Sequence, residues 1–401
     1  MNNRVSAAKQ TGNVLVLGRD IRAFLSVVRS LGRASLSVHV GMSPPDDLAL
    51  KSRYIKQVHD IPEYDPTSSG WLDTVIDLTQ RHKFDLIIPT HDESAIPVQI
   101  FRDELTKYTK VYSLGERAFE IAFDKIKSSE LAESLGIRIP HQAAVSLEAL
   151  QDGLPNGFSF PIVIKPSSSY LSDDLGTRRE VVTATNPAQL NDIVPKLQGW
   201  DIALIQEHFA GIGTGVEVLV NDGEIVFAFQ HIRVHEPRGG GASSYRKSLF
   251  PIDQELYMAT EALMRQMSYT GVAMVEYKVD PSTGDWIFIE INGRFWGSLP
   301  LAICSGADFP RLLYEQIVFG NVLQIPPPPR GDVYCRNIKR DLYWAIDNLK
   351  DRFSERPSRF SVPLRTVMGG YFRLLTFREH IDSFARDDPA PAVTELREVI
   401  S

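Results

Sequence analysis

A chain of 401 residues has room for two or three domains. It is 43% hydrophobic and 23% charged, ordinary for a globular protein. A net charge of −7 and a pI near 5.8 set nucleic acid aside as the main partner. No apolar run approaches the roughly 20 residues of a membrane-spanning helix. The opening MNNRVSAAKQTG lacks the apolar centre of a signal peptide, so a cytoplasmic address and no membrane partner are expected. Cys304 and Cys335 have neither metal-type spacing nor a disulfide framework, and both read as reduced, mostly buried thiols.

In chain order, NVLVLG (Asn13–Gly18) is a short apolar strand, IRAFLSVVRSLG a helix and LSVHVG (Leu36–Gly41) a second strand. A helix runs from Trp71 to about His82, and DLIIPTHDES is a strand entering a polar loop. This β-α-β rhythm predicts a small open parallel sheet with helices on both faces. Its first turn is Gly18-Arg19-Asp20, without the G-x-G-x-x-G of a dinucleotide site. Ligands of such sheets sit at the carboxyl ends of the strands. Thr90, His91, Asp92 and Glu93 occupy one such end, as substrate contacts or as a helix N-cap with acids in its first turn.

Past a linker near Leu114–Arg117, RAFEIAFDKIKSSELAESLG reads as one helix closed by Gly136. FPIVIKPSS and IALIQEHF then read as strands of an antiparallel kind. GVEVLVNDGEIVFAFQHI is a hairpin across Asn221-Asp222-Gly223, with a strong turn signal in Asp-Gly. A Gly239–Gly241 loop flanked by Arg233, Arg238, Arg246 and Lys247 follows, then a helix over about 254–267 and a last hairpin, GVAMVEYKVDPSTGDWIFIEIN. Pro326–Pro329 form a rigid spacer. Helical segments at Leu342–Phe353 and Ala392–Ile400 end the chain.

The last hairpin carries the chemistry. If its joint centres near Thr283, Glu276 faces Glu290, and Asn292 and Arg294 continue on the same face at period two. Like charges directly opposed destabilise a strand pair, so two facing carboxylates on apolar strands predict a cation between them. An all-oxygen set of Glu276, Glu290 and Asn292 suits Mg²⁺ or Mn²⁺. Mg²⁺ held by one or two carboxylates takes its remaining ligands from water and phosphate, which implies a nucleoside triphosphate. Lys165, at the end of FPIVIK before Ser167-Ser168-Ser169, can place a charge and backbone N–H groups on phosphate oxygens. The cationic glycine loop can close over an anion.

These pieces, in this order, resemble the ATP-grasp superfamily of carboxylate–amine and carboxylate–thiol ligases over nearly the whole chain to about Ile325. The resemblance is greatest to carbamoyl-phosphate-synthetase-like and biotin-carboxylase-like members. It implies an α/β pre-ATP-grasp domain over residues 1–115 and an ATP-grasp domain over 116–325. The latter would divide into a small lid (116–200) and a larger subdomain with the metal site (201–325), followed by a Pro-rich, helical extension (326–401). Two α+β subdomains would sandwich ATP. FDK, with Lys125, is similar to the family's first ATP-contacting lysine. VIKPSSS is similar to the second, Lys165, with Ser167 and Ser168 covering phosphate. IQEHF is similar to the adenine hinge, with Gln206, Glu207 and the backbone near Phe209. Glu217, or Thr214 in its place, would take the ribose.

VEYK and EINGR are similar to the metal-ligand strands. Arg294, helped by Arg233, would hold the substrate carboxylate or acyl phosphate. The implied cofactors are ATP and Mg²⁺ or Mn²⁺, and the implied reaction is ADP-forming ligation of a small-molecule carboxylate, an amino acid among the options, to an amine. Phosphoryl transfer to a hydroxyl, carbamoyl or carboxyphosphate formation, and a nucleotide-binding module without turnover are the alternatives. His231 and His235 read equally as substrate contacts and as satisfied core histidines. The extension reads as a homodimer contact or a lid.

Overall fold

A computed structural model describes residues 12–400 apart from 172, 198, 201, 238–242, 353–363 and 375–377. The Gly239–Gly241 run, Arg238 and the amino-terminal segment thus lie outside the described residues. Among those described, no helix is long and apolar enough to cross a membrane.

The first sheet is parallel, in the order β3-β2-β1-β4-β5. Its strands are β1 (Asn13–Leu17), β2 (Ser37–Gly41), β3 (Ile55–Val58), β4 (Leu86–Pro89) and β5 (Lys110–Val111). Alternation along each strand divides it between two cores. Val14, Val16, Val38, Val40 and Ile88 face α1 (Leu25–Arg33), whereas Leu15, Leu17 and Ile87 pack with Trp71, Val75 and Leu78 of α2 (Gly70–His82). The β-α-β reading and both-sided helix cover therefore hold. The carboxyl end of β4 delivers α3 (Asp92–Ile100); a short α4 (Arg102–Leu105) precedes β5.

The stretch expected as one helix is two: α5 (Glu116–Ala122) and α6 (Lys125–Ser134). Asp124 breaks it. Its carboxylate accepts from the Ile126 and Lys127 N–H groups at 2.8 and 3.0 Å, capping α6 and leaving Lys125 in its first turn.

A four-stranded antiparallel sheet follows, ordered β6-β9-β7-β8: β6 (Gln142–Ser146), β7 (Ile162–Pro166), β8 (Val182–Ala184) and β9 (Ile202–Glu207). Ile162, Ile164, Ala203 and Ile205 bury one face under α7 (Leu147–Gln151) and α8 (Pro187–Ile193) in a separate core with Leu150 and Leu190. The opposite parity, Lys165, Leu204 and Gln206, faces the large sheet.

That sheet has seven strands, ordered β14-β13-β10-β11-β12-β15-β16. Strands β10 (Ile212–Asn221) and β11 (Glu224–His235) form the expected hairpin, with Asp222 and Gly223 at φ 48° and 82°. Val216, Val218, Ala273, Val275 and Tyr277 supply an apolar face with α9 (Gln254–Gln266). The other face carries charge. Strand β13 (Gly271–Val279) pairs with β14 (Trp286–Asn292) so that Glu276 opposes Glu290 and Met274 opposes Asn292. Helices α10 (Leu299–Ser305) and α11 (Phe309–Phe319) close the core.

After Pro326–Pro329, the chain builds onto this sheet. Strand β15 (Tyr334–Arg336) pairs with β12 (Tyr245–Leu249), and β16 (His380–Ile381) pairs with β15. Helices α12 (Ile338–Arg352), α13 (Leu364–Leu374) and α14 (Ala390–Ile400) complete the chain. The approach to α14 is fixed to the first sheet by a buried pair, Arg29 Nε to Asp388 Oδ2 at 2.8 Å, and by Ser52 Oγ to the same carboxylate at 2.7 Å. Cys335 is buried and Cys304 half-buried, both as free thiols.

Candidate active site

The charged face of the large sheet meets the polar face of the small one, and cations from one meet acids from the other. Lys165, at the end of β7, is 5% exposed and directs Nζ to the Ile289 carbonyl at 3.4 Å. Ile289 is the extra residue where the β13–β14 register slips after Glu276. Lys125 Nζ lies 3.4 Å from Glu290 Oε2 and 3.2 Å from Ser169 Oγ, and its backbone N–H donates to the Ser167 carbonyl at 2.8 Å. The Ser168 hydroxyl donates to the Tyr170 carbonyl at 2.8 Å. The serine loop is thus threaded over the start of α6.

Glu276 receives Arg233 Nη2 on Oε2 at 2.5 Å and the Asn292 amide N–H on Oε1 at 3.3 Å. The facing acids therefore meet cations of the protein itself. Burial acts to raise the Glu290 carboxyl, but Lys125, Lys165 and Arg233 outweigh it and hold it at about 2. Burial pushes the Lys165 ammonium down to about 8, against the pull of Glu290. The Arg233 guanidinium is desolvated too, yet Glu276 and Glu236 hold its pKa above the usual arginine range.

Arg294 does not continue the strand, which ends at Asn292. It turns to the first sheet and grips Asp92 at 2.9 and 3.2 Å, while Nη1 donates to the Phe295 carbonyl. The loop after β4 takes up the capping role read from its sequence, and its acids meet partners within the protein. His91 and Ser94 cap α3 reciprocally, while Asp92 holds Arg294 and Glu93 accepts from the Tyr170 hydroxyl at 2.8 Å and from Arg19 at 3.0 Å. Burial opposes the ionisation of Asp92, and Arg294 reverses it, lowering the carboxyl below its ordinary value.

The hinge residues separate. Gln206 is buried on the cleft face, its amide donating to Gln142 Oε1 at 2.7 Å. Glu207 has the opposite parity, so its side chain points away from the cleft, 3.8 Å from His141 Nδ1. Only its backbone is suitably placed, which corrects the side-chain role expected for it. The Phe209 carbonyl accepts from Lys278 Nζ at 3.3 Å.

Neither ribose candidate is available. Glu217 is fully enclosed, with Oε1 2.8 Å from His231 Nδ1 and 2.7 Å from the Ser298 hydroxyl. Thr214 is buried on the other face and donates to the His231 carbonyl. Glu236 was not singled out in the sequence. It stands beside the hinge end of β10, its carboxylate accepting from the Gly213 N–H at 3.4 Å and from Arg233 at 3.3 Å. An acid placed where β11 leaves the sheet was the available signal. His231 Nδ1 lies 2.8 Å from Glu217 Oε1 but makes no hydrogen bond among the described residues, whereas His235 bonds Asp341 at 2.8 Å and stacks on Trp344 at 3.7 Å; both histidines are buried.

A second set of groups lies toward the first sheet. Arg22 Nη2 is 3.5 Å from Asp20 Oδ2, but Nη1 is buried and makes no hydrogen bond among the described residues. A Cβ on Gly297 would lie 2.5 Å from that nitrogen, so the glycine makes room for the guanidinium. The positive charge of Arg22, with burial, pushes Arg340 of α12 down to about 10.

No family model matches the chain. The D-aspartate ligase of Enterococcus faecium (strain Aus0004) is 24% identical over 327 residues, 76% of each chain. Among solved structures, the L-amino acid ligase from Bacillus licheniformis superposes with a TM-score of 0.57 at 16% identity, over 78% of this chain and 75% of that one. The ADP complex of N5-carboxyaminoimidazole ribonucleotide synthetase gives a TM-score of 0.64 at 11% identity, over 91% and 97%. The chain shares the fold of these solved structures, with one parallel sheet, one antiparallel sheet and one largely antiparallel sheet around paired lysines and facing acids.

Proposed function

We propose that this protein activates the carboxylate of an amino-acid-like substrate with ATP and joins it to an amine through an acyl phosphate. One observation carries the reading. Lys125, Lys165, Arg233 and the hairpin residues Glu276, Glu290 and Asn292 come from four separate segments and converge on one cleft. The relatives named for D-aspartate and L-amino acid ligation support an amino acid as the activated or attacking partner.

In the first step a carboxylate oxygen attacks the γ-phosphorus of ATP, and the bond to the β,γ-bridging oxygen breaks to release ADP. In the second the amine attacks the acyl carbon, loses a proton, and inorganic phosphate leaves. Lys125 and Lys165 lie where they would neutralise phosphate oxygens. Gln206 and the backbone from Glu207 to Phe209 line the adenine end, and Glu236 is the acid placed for the ribose hydroxyls. Arg233 and Arg294 would hold the carboxylate and the charge that develops on the transferring phosphoryl group. Such catalysis is mainly positioning and preorganised electrostatics.

Glu276, Glu290 and Asn292 offer oxygen donors only, and Asn292 gives its N–H to Glu276, leaving its amide oxygen free to accept. That donor chemistry fits Mg²⁺ or Mn²⁺. When bound, the ion would offset charge on the β- and γ-phosphate oxygens. Arg22, with an uncommitted buried nitrogen, and its neighbour Arg340 make an anion-binding corner for a second carboxylate of the substrate.

The test is phosphate release by purified protein with Mg-ATP and amino acids offered in pairs, D- and L-aspartate included. The expected result is release that requires both a carboxylate and an amine. Release with bicarbonate alone, or ATP binding without ADP from any pair, would overturn the reading.

A further inference from the structure

Three histidines sit together on the α2 side of the first sheet, at its β2–β3 edge. His39 is in mid-β2, His59 follows β3 with its N–H on the Val40 carbonyl, and His82 is the last residue of α2. The carboxyl end of α2 returns the chain to the amino end of β4, opposite the strand ends that face the active site. The ring centroids form a near-equilateral triangle: His39 to His59 5.1 Å, His39 to His82 4.7 Å, His59 to His82 4.8 Å. One ring nitrogen from each lies within 4.8 Å of the other two. His39 and His59 are 5% and 7% exposed, and His82 is half-buried, so the triangle opens to solvent at one corner.

Packing alone explains this poorly. Among the described residues the three rings make a single hydrogen bond, His39 Nδ1 to His59 Nε2 at 2.8 Å. The rings pack against Phe84, and their remaining nitrogens make no hydrogen bond to the protein among the described residues, while none is sealed from solvent without a partner. The ligase chemistry uses none of them.

We propose that His39, His59 and His82 form a binding site for a borderline divalent transition-metal cation, Zn²⁺ above all, with water in the open fourth position. The set is three imidazoles without a carboxylate or thiolate, a donor type that suits Zn²⁺, Cu²⁺ and Ni²⁺ and disfavours Mg²⁺. A tetrahedral ion with bonds near 2.0–2.1 Å needs ligand nitrogens about 3.4 Å apart, within reach of small ring rotations from the observed spacing. Ligation replaces the His39–His59 hydrogen bond, and the N–H of that bond passes to the other nitrogen of its ring, so both rings stay neutral. The ion would tie β2, the end of β3 and α2 together.

The experiment uses the untagged full-length chain, stripped of metal and titrated with ZnCl₂ against a chromophoric chelator, with Tm measured alongside. The expected result is one equivalent bound and a higher Tm. His82→Ala, chosen because His82 is half-buried at a helix end, should weaken binding at least about tenfold while leaving metal-free Tm and phosphate release near the parent values. The double variant Glu276→Gln/Glu290→Gln should bind Zn²⁺ as the parent does. Co²⁺ in place of Zn²⁺ should give visible absorption of a four- or five-coordinate ion. No retained Zn²⁺, binding indifferent to His82→Ala, or binding lost in the Glu276/Glu290 double variant would each overturn the proposal. None of these outcomes depends on ligase activity, so failure here leaves the proposed function standing.

Discussion

The two walls of the cleft are assembled in different ways. On the wall proposed for the nucleotide, acids lie on adjacent strands of one hairpin, and the lysines that answer them come from β7 and the capped start of α6. On the other wall nearly every group comes from a different part of the chain. Arg294 meets Asp92 across 202 residues, Arg22 follows β1, and Arg340 belongs to a tail that is bolted to the first sheet through Asp388. Sheet register fixes the facing acids of the first wall, whereas its lysines and nearly all of the second wall depend on tertiary packing. Under the proposed function, the first wall would hold the nucleotide and the second, built from loops and distant elements, would choose the substrate.

Substitutions that separate the walls sharpen this contrast. Glu290→Gln should have the largest effect, lowering kcat on the order of 10²–10³-fold in phosphate release, because it removes the acid that three cations face. A variant with full turnover would break the nucleotide wall as described. Asp92→Asn comes next. It leaves the largely buried Arg294 without its anion and should cost about 3 kcal/mol of stability in denaturant melts. Its KM for the amino acid should rise more than its KM for ATP; equal rises would erase the distinction between the walls. Arg22→Gln should raise KM for an acidic substrate by about tenfold and leave KM for ATP unchanged, since it removes one charge-assisted hydrogen bond on the substrate side alone. The smallest effect concerns pH. Glu290 titrates near 2 in the fold against 4.5 when free, so its stabilisation is complete above about pH 4.5 and is lost as pH falls toward 2. Acid unfolding of Glu290→Gln should therefore show a shallower slope in that window than the parent; identical slopes would remove Glu290 from the account.

Much of the nucleotide wall was legible in the sequence because its determinants are local. Period-two alternation and the turn centred near Thr283 set Glu276 against Glu290, and the β-α-β rhythm announced the parallel sheet. Where the reading failed, competition between local and distant forces decided. A single side chain, Asp124, divided an apparently continuous helix. Glu217 reads as an acid a few residues past the hinge, and the register of β10 does put it on the face of Met274 and Glu276, but His231 and Ser298 enclose it there.

What the sequence determined by itself was the alternation of strands and helices, the hairpin register and the chemical types needed for a phosphate-handling site. All of these depend on contacts between residues near one another in the chain. The tertiary structure alone decided that Asp92 receives Arg294, that Glu236 stands at the hinge, that β15 and β16 join the large sheet, and that His39, His59 and His82 meet. Each of those pairings joins segments that carry no mutual periodicity. They come together only because burying the two faces of each sheet leaves one compact way to stack the layers.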